Sequence, residues 1–566
     1  MTAASEVTSL PEPPTQKPWS GASRSGGRRP FRVVLIKPSR YDDEGYLVSW
    51  FRSAFPNPSL ACLHGITTAV AASGRLGPDV DVSIDVFDEA NRPAPVRSVV
   101  RELQAPGVRG VVCLVGVLST QVPRALDLAR AFRKAGLPVL MGGPHVGGSL
   151  SMPEVPDRDL DVATELGVTL VAGEVEKRLG DVLEDALHGR LKPLYDFLGD
   201  RPDLRGTAWP FLPPLSRART LGRIATFDAG RGCPFACTFC TVISVQGHES
   251  RCRSADDVEA IVRANLSTGA RRFFVTDDNF ARNRNWEEIL DRLALLRRRD
   301  GLAFSFSLQV DCASHRVPRF VEKAAEAGCQ TVFIGLESLD AAALEGAGKR
   351  HNRVSEYHET VLAWRRFHVV VQANYIIGFP TDTVDSVRRH IEILKRELPI
   401  DVVSFAMLTP LPGSADHRAL SGRGEWLEPD LNRYDYAHPC RRHPLMSSEE
   451  WTGVFREAWR SYYTPEHIET ILRRRYAEGQ GTGKLVGQLF WFLSAIRVEG
   501  VYPHDSGLVR RKRRTDRRPD LPTETRLGFA LRRAREVPAE LVGLARLWRE
   551  LRRVEKRVHR DLDRTA

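Results

Sequence analysis

The sequence predicts an α/β chain in three parts: an N-terminal doubly wound parallel sheet, a partial (β/α)6 barrel, and a mainly helical C-terminal region. Three observations lead there. Strand-like apolar runs alternate with helical patterns twice, over residues 31–189 and again over 224–415. A stretch rich in Pro, Leu and Arg, 190–223, separates the two rounds and reads as an interdomain linker. Past Gly413 the alternation stops, and 416–566 carries helical periodicity and a basic tail.

Residues 1–30, rich in Pro, Ser, Gly and Thr, are predicted to be a disordered tail. The first round supplies strands at Phe31–Ile36, Val82–Phe87, Val111–Val115, Pro138–Met141 and Leu170–Ala172, with helical sequence near 61–73 and 122–135 between them. A sheet of this kind binds ligands beyond the carboxyl ends of its strands. The loops there read Asp88-Glu-Ala-Asn-Arg92, Gly116-Val-Leu-Ser-Thr120 and Gly142-Gly-Pro-His145. Adjacent glycines let a large ligand approach the backbone. No GxGxxG occupies the first strand-to-helix turn, so a dinucleotide fingerprint is missing.

The second round gives six strands: Ile224–Phe227, Arg272–Thr276, Ala303–Leu308, Thr331–Ile334, Val370–Ile377 and Val402–Ala406. Barrels carry their chemistry on the loops after such strands. Those loops hold Thr276-Asp-Asp-Asn-Phe280, Gly335-Leu-Glu-Ser338, Gly378-Phe-Pro380 and Leu408 to Gly413. After the first strand comes Arg231-Gly-Cys-Pro-Phe-Ala-Cys-Thr-Phe-Cys240, with Cys233, Cys237 and Cys240 in a CxxxCxxC spacing. Three thiolates so close point to a soft metal centre. They leave one position of a cubane cluster open for another ligand.

This spacing, with Phe239 before the third cysteine, resembles the cluster-binding signature of the radical S-adenosylmethionine superfamily. The resemblance implies a TIM-type barrel, a 4Fe-4S cluster on Cys233, Cys237 and Cys240, and S-adenosylmethionine on its open iron. It places Asp277, Asp278 and Asn279 near the methionyl amino group, Glu337 and Ser338 near the carboxylate and ribose, and Gly378 at the adenine. The first round resembles the Rossmann-like cobalamin-binding domain that often precedes such barrels. By that resemblance Gly142 and Gly143 lie along the corrin and nucleotide tail, Ser119 or Thr120 near the tail, and Glu174 in a closing Gly-Glu-x-Glu segment. Ala90 stands where a cobalt-ligating histidine would be, and His64 and His145 are the alternatives.

The implied activity is a cobalamin-dependent radical methyltransferase that makes a 5'-deoxyadenosyl radical and methylates an unactivated carbon, with methylcobalamin as methyl carrier. The alternatives are a cobalamin-associated oxidative cyclase or ring-rearranging enzyme, and a non-catalytic cobalamin sensor. Expected partners are a small molecule, with a hydrophobic one among the options, and an electron donor such as flavodoxin or ferredoxin. A methylthiotransferase is disfavoured, because only Cys62 and Cys113 precede the barrel.

The 566 residues exceed one core, and 42% hydrophobic with 27% charged residues mark ordinary soluble composition. No apolar run reaches the ~18–20 residues of a membrane span and no secretory signal is visible, so the cytoplasm is the expected location. Nine cysteines are too sparse for a disulfide scaffold. The net charge of +11 gathers near the C-terminus, at Arg510 to Arg518 and Arg546 to Arg560. That reads as a solvated basic face with no specific nucleic-acid site, peripheral contact with anionic lipid being the alternative. Ser447-Ser-Glu-Glu450 signals a helix start, Trp451, Trp459, Tyr462 and Tyr463 read as a packing stripe, and Leu485 to Leu493 as a helix docked on the barrel.

Overall fold

The computed structural model describes residues 28–563; most of the tail predicted to be disordered lies outside them. Strand β1 (Arg29–Lys37) is apolar without alternation from Val33 to Ile36 because it sits between two parallel neighbours and is covered on both faces. One neighbour is β2 (Val80–Asp88), an edge strand whose Asp81 and Asp85 keep it from pairing further. The sheet continues through β3 (Arg109–Leu114), β4 (Val139–Gly142) and β5 (Thr169–Gly173) to β6 (Leu194–Phe197), all parallel, in the order β2-β1-β3-β4-β5-β6. Strand order reverses between β1 and β3, which is where this architecture opens a ligand crevice.

Strand β6 corrects the linker reading. Leu194–Phe197 pairs in parallel with Leu170–Gly173, so the first sheet takes residues assigned to the linker. Only Tyr195 of the four is buried, which explains why the apolar pattern gave no signal.

The second sheet runs β12-β11-β10-β9-β8-β7, with β7 (Ile224–Phe227), β8 (Arg272–Val275), β9 (Ser305–Val310), β10 (Cys329–Glu337), β11 (Val370–Ile377) and β12 (Val402–Met407), every pairing parallel. Six strands leave the barrel open between β7 and β12. The helix Ser448–Tyr462, started by a Ser447/Glu450 capping box, packs outside β11 and β12. Its Trp451, Trp459 and Tyr462, with Tyr463, are all buried, as a packing stripe should be. Trp451 fills the space beside Gly378, where a Cβ would lie 2.1 Å from the indole.

The C-terminal region is more than helices. Helix Gly483–Ser494 docks on the barrel through Leu485, Val486, Leu489, Phe492 and Leu493. The chain then returns to the first domain, where Gly507–Arg510 pairs antiparallel with Trp50–Ser53. Part of the basic run is consumed by carboxylates: Arg510 on Asp42 (2.9 Å), Lys512 on Glu44 (2.8 Å), Arg518 on Asp430 (2.6 Å). A last helix, Arg526–Asp563, closes the described chain. No helix among the described residues is long and apolar enough to cross a membrane.

Candidate active site

The cysteine loop hangs from β7 and is fixed by backbone hydrogen bonds on several sides. Cys233 N–H donates to Gly247 O (3.2 Å), Thr238 N–H to Ala347 O (3.0 Å), and Cys240 N–H to Cys237 O (3.1 Å). Gly232, at φ +92°, has no room for a Cβ, which would stand 2.3 Å from Glu249 O. Phe235 stacks on His351 at 3.5 Å between ring centres. All three cysteines are free thiols, raised in pKa chiefly by burial, Cys240 up to about 12. No three His, Cys, Asp or Glu among the described residues converge as ligands of one metal ion. Thiolates on a single zinc stand about 3.8 Å apart, whereas a cubane takes each thiolate on a different iron. The donor set, three soft thiols and no histidine, fits a cluster.

The three acids and the asparagine assigned to the barrel loops by sequence separate into two groups. Asp278 is half-buried beside Cys233 and Cys240, its carboxyl pushed up to about 6 by burial. Glu337 is bonded to Lys349 Nζ, an ammonium that stands beside Cys237, and sits at φ +66° in a bulge of β10. These two face the cluster loop.

Asp277 does not. It accepts Ala229 N–H at 2.7 Å and Asn283 Nδ2 at 2.9 Å, so it braces the strand before the cysteines, and burial raises it to about 7. Asn279 is spent on Asp311 (Nδ2 to Oδ2, 2.9 Å), and Asp311 in turn on Arg282 (2.7 Å). Ser338 is fully buried, where its Oγ accepts Asp340 N–H at 3.0 Å. Gly378 gives its N–H to Asp382 (2.8 Å). Lys349, Arg282 and Asp311 were missed by sequence reasoning: each is an ordinary residue outside any motif, and only the fold brings it near the cysteine loop.

At the switch point of the first sheet lies a cavity of about 310 Å³. Its floor is apolar, with Val33, Leu35, Leu140, Val171, Leu179 and Leu183, and its rim is Gly116, Gly142, Gly143 and Gly173. Gly143 has φ +144°, and a Cβ there would meet Val117 N at 2.1 Å. Its far wall belongs to the barrel: Phe227, Asp228, Gly230, Arg231 and Thr276. An apolar slot under a glycine rim fits the aromatic base and backbone-hugging tail of a bulky nucleotide-bearing cofactor.

Gly142, Gly143 and Glu174 therefore line one cavity, but Ser119 and Thr120 do not. Ser119 Oγ is 3.2 Å from His145 Nδ1, and His145 Nε2 lies 3.1 Å from Asp157. His64 holds Phe211 O at 2.8 Å. Both histidines are committed to protein partners, and neither lines the cavity. Glu174 is not free to receive a ligand, since Arg231 (2.8 Å) and Arg251, on the two strands framing the cysteine loop, take its carboxylate. Arg231 also pairs with Glu176 (2.5 Å) and Asp228 (2.9 Å). The Gly-Glu-x-Glu segment thus bolts the first domain to the cluster loop.

An aromatic cluster joins Tyr436, Tyr502 and His504, with the Tyr502 ring centre 6.0 Å from that of Tyr436 and 5.5 Å from that of His504. Tyr436 and His504 are solvent-accessible, yet burial governs their titration, raising the phenol and lowering the imidazole. Phe55 and Trp491, 5.2 Å apart, and Phe274 and Phe333, 5.5 Å apart, continue the cluster.

Residues 229–394, from the strand before the cysteines to the helix after β11, match the Radical SAM superfamily. The chain carries a radical SAM domain. Such a domain holds a 4Fe-4S cluster and S-adenosylmethionine, and the chain is an enzyme. It is 26% identical over 349 residues to bacteriochlorophyllide d C-8(2)-methyltransferase of Chlorobaculum tepidum, covering 57% of this chain and 72% of that one. The fold extends beyond the radical SAM domain. The methyltransferase TsrM from Kitasatospora setae, with cobalamin and a [4Fe-4S] cluster bound, superposes at TM-score 0.54 and 17% identity over 70% of this chain and 78% of its own. The cobalamin-dependent radical enzyme OxsB with aqua-cobalamin superposes at 0.53 and 14% identity over 94% and 81%.

Proposed function

We propose that this radical SAM enzyme is a cobalamin-dependent methyltransferase that methylates an unactivated carbon of a small, apolar substrate. One observation carries the reading: the glycine-rimmed cavity of the first sheet and the base of the cysteine loop share a wall, with Gly142, Gly143 and Gly173 on one side and Arg231 and Gly230 on the other. When bound, the cluster with S-adenosylmethionine supplies a 5'-deoxyadenosyl radical, and cobalamin supplies the methyl group.

The chain's own residues do the positioning. Cys233, Cys237 and Cys240 hold the cluster. Asp278 offers a carboxylate to the ammonium of S-adenosylmethionine, and the Lys349–Glu337 pair offers charge to its carboxylate end. The Glu174–Arg231–Arg251 bolt fixes the distance between the two cofactor mouths, on which a two-site radical reaction depends. The aromatic side chains around Tyr502 and His504 favour an apolar substrate. An external flavodoxin or ferredoxin supplies the electron.

The test is anaerobic turnover with methyl-labelled S-adenosylmethionine and candidate apolar substrates. Methyl transfer predicts label in the product together with 5'-deoxyadenosine. 5'-Deoxyadenosine with an unlabelled product would overturn methyl transfer and favour the cyclase.

A further inference from the structure

The last helix, Arg526–Asp563, has one face packed on the barrel region through Leu547, Leu551, Val554 and Val558. Its opposite face is organised as well. Leu527, Leu531, Ala534, Pro538, Leu541, Ala545 and Trp548 recur four and three residues apart, and all are exposed, Leu527 at 70%, Leu531 at 54% and Leu541 at 52%. That spacing draws one continuous apolar stripe along a helix. From Trp548 onward the same face turns basic, with Arg549, Arg552, Arg553, Lys556 and Arg560.

The carboxylates of this helix lie elsewhere. Glu536 pairs with Arg533 (2.6 Å) and Arg532 (2.6 Å), Glu540 with Arg533 (3.3 Å), and Glu555 with Thr482 (2.7 Å). Beside the stripe a second cavity, of about 370 Å³, lies between Pro465 and the helix, lined by Arg546, Arg549, Arg553 and Arg557. The acids within reach there are Glu550, 3.7 Å from Arg497, Glu469, 3.4 Å from Arg557, and Glu466, which also faces Arg557. Arg546, Arg549 and Arg553 make no ion pair among the described residues.

We propose that this face is a membrane-docking surface, with the apolar stripe seated at the acyl boundary of an anionic bilayer and the arginine cleft on lipid phosphates. An apolar stripe with Trp at its end and arginines along its edge is the composition of a helix lying in the interface plane. Charge selects the occupant. A second copy of the chain would bring Arg549, Arg553 and Lys556 against like charges, whereas an anionic surface neutralises them. The helix packs on the barrel region, so docking would bring an apolar substrate and its enzyme to one surface. The docking itself does not depend on the proposed chemistry.

The test floats the full-length reconstituted enzyme with vesicles of phosphatidylcholine alone or mixed with phosphatidylglycerol. Flotation is expected only with the anionic mixture, weakened by high salt. Leu531→Glu with Leu541→Glu should lower partition at least ~10-fold without moving the melting temperature, and Arg549→Glu with Arg553→Glu should do the same. Brominated lipid should quench tryptophan fluorescence in the wild type and lose that extra quenching in Trp548→Phe. Three results would overturn the proposal: no flotation at low salt, flotation unchanged in the leucine variant, or a dimer in solution that the leucine variant dissolves. Inorganic phosphate that competes away flotation of the leucine variant and the wild type alike would also overturn it, reducing the cleft to an anion site.

Discussion

The two cofactor mouths are built on opposite principles. The first-sheet cavity is shaped by absence: four glycines at the rim, aliphatic side chains on the floor, and its one acidic motif neutralised by arginines from outside the domain. The barrel mouth is built from charge, with the cysteine loop surrounded by Asp278, the Lys349–Glu337 pair and the Asp311–Arg282 pair. The difference teaches what each can hold. A bulky cofactor that contributes its own functional groups needs room and close backbone approach. A small charged cofactor on an inorganic cluster needs fixed counter-charges in a site of low dielectric.

The contrast breaks most sharply at the cysteines. Replacing Cys233, Cys237 or Cys240 with Ala should reduce 5'-deoxyadenosine formation to background and remove the cluster's visible absorbance. Cobalamin uptake, read from its own spectrum, should persist. Loss of both cofactors in all three variants would mean that the mouths are one cooperative unit and that the comparison fails.

The next effect is electrostatic. Lys349→Met leaves Glu337 buried without a partner and should cost about 3–5 kcal/mol, seen in denaturant unfolding of the reconstituted protein. Glu337→Gln added to Lys349→Met should recover most of that loss, because the stranded charge is gone. A double variant as unstable as the single one would remove the ion pair from the account of this mouth.

Much of this was legible in the sequence, and the rest was hidden for physical reasons. Strand positions could be read because buried parallel strands carry continuous apolar runs, as Val33 to Ile36 and Val111 to Val115 do. Strand β6 could not, since three of its four residues are not fully buried. The cysteine triad could be read because its spacing is local. Asp277 and Asp278 are adjacent in sequence and alike in chemistry, yet one braces Ala229 and the other faces the thiols. Side-chain direction at a strand end is set by the fold, and no local pattern encodes it. Glu174 was recognised as part of a motif, but its arginine partners lie 57 and 77 residues away.

Shape predicts a smaller loss. Gly143→Ala would force a side chain into a backbone region open essentially to glycine alone and press its Cβ on Val117, which should cost about 1–3 kcal/mol. Cobalamin uptake should fall while cluster content stays at the wild-type level. Equal loss of both would show that Gly143 supports the whole fold and not the cavity rim.

The smallest effect lies in the joint between the regions. His438, on the loop after the barrel, reaches Asp43 of the first domain at 3.5 Å and Asp435 at 2.9 Å. These carboxylates, Asp43 first, raise the imidazolium to about 9 from an ordinary 6.5. A histidine that binds its proton more tightly when folded stabilises the protein fully below pH 6.5, and the contribution fades as pH rises through 9. Asp43 is largely exposed and screened, so the contribution at neutral pH should be about 1 kcal/mol. His438→Gln should lower stability at pH 6 and leave it unchanged near pH 9.5, flattening the decline between them. If the joint matters to catalysis, the same substitution should weaken methyl transfer relative to 5'-deoxyadenosine formation, because only the former needs both mouths in register; a parallel fall in both would place His438 in folding alone.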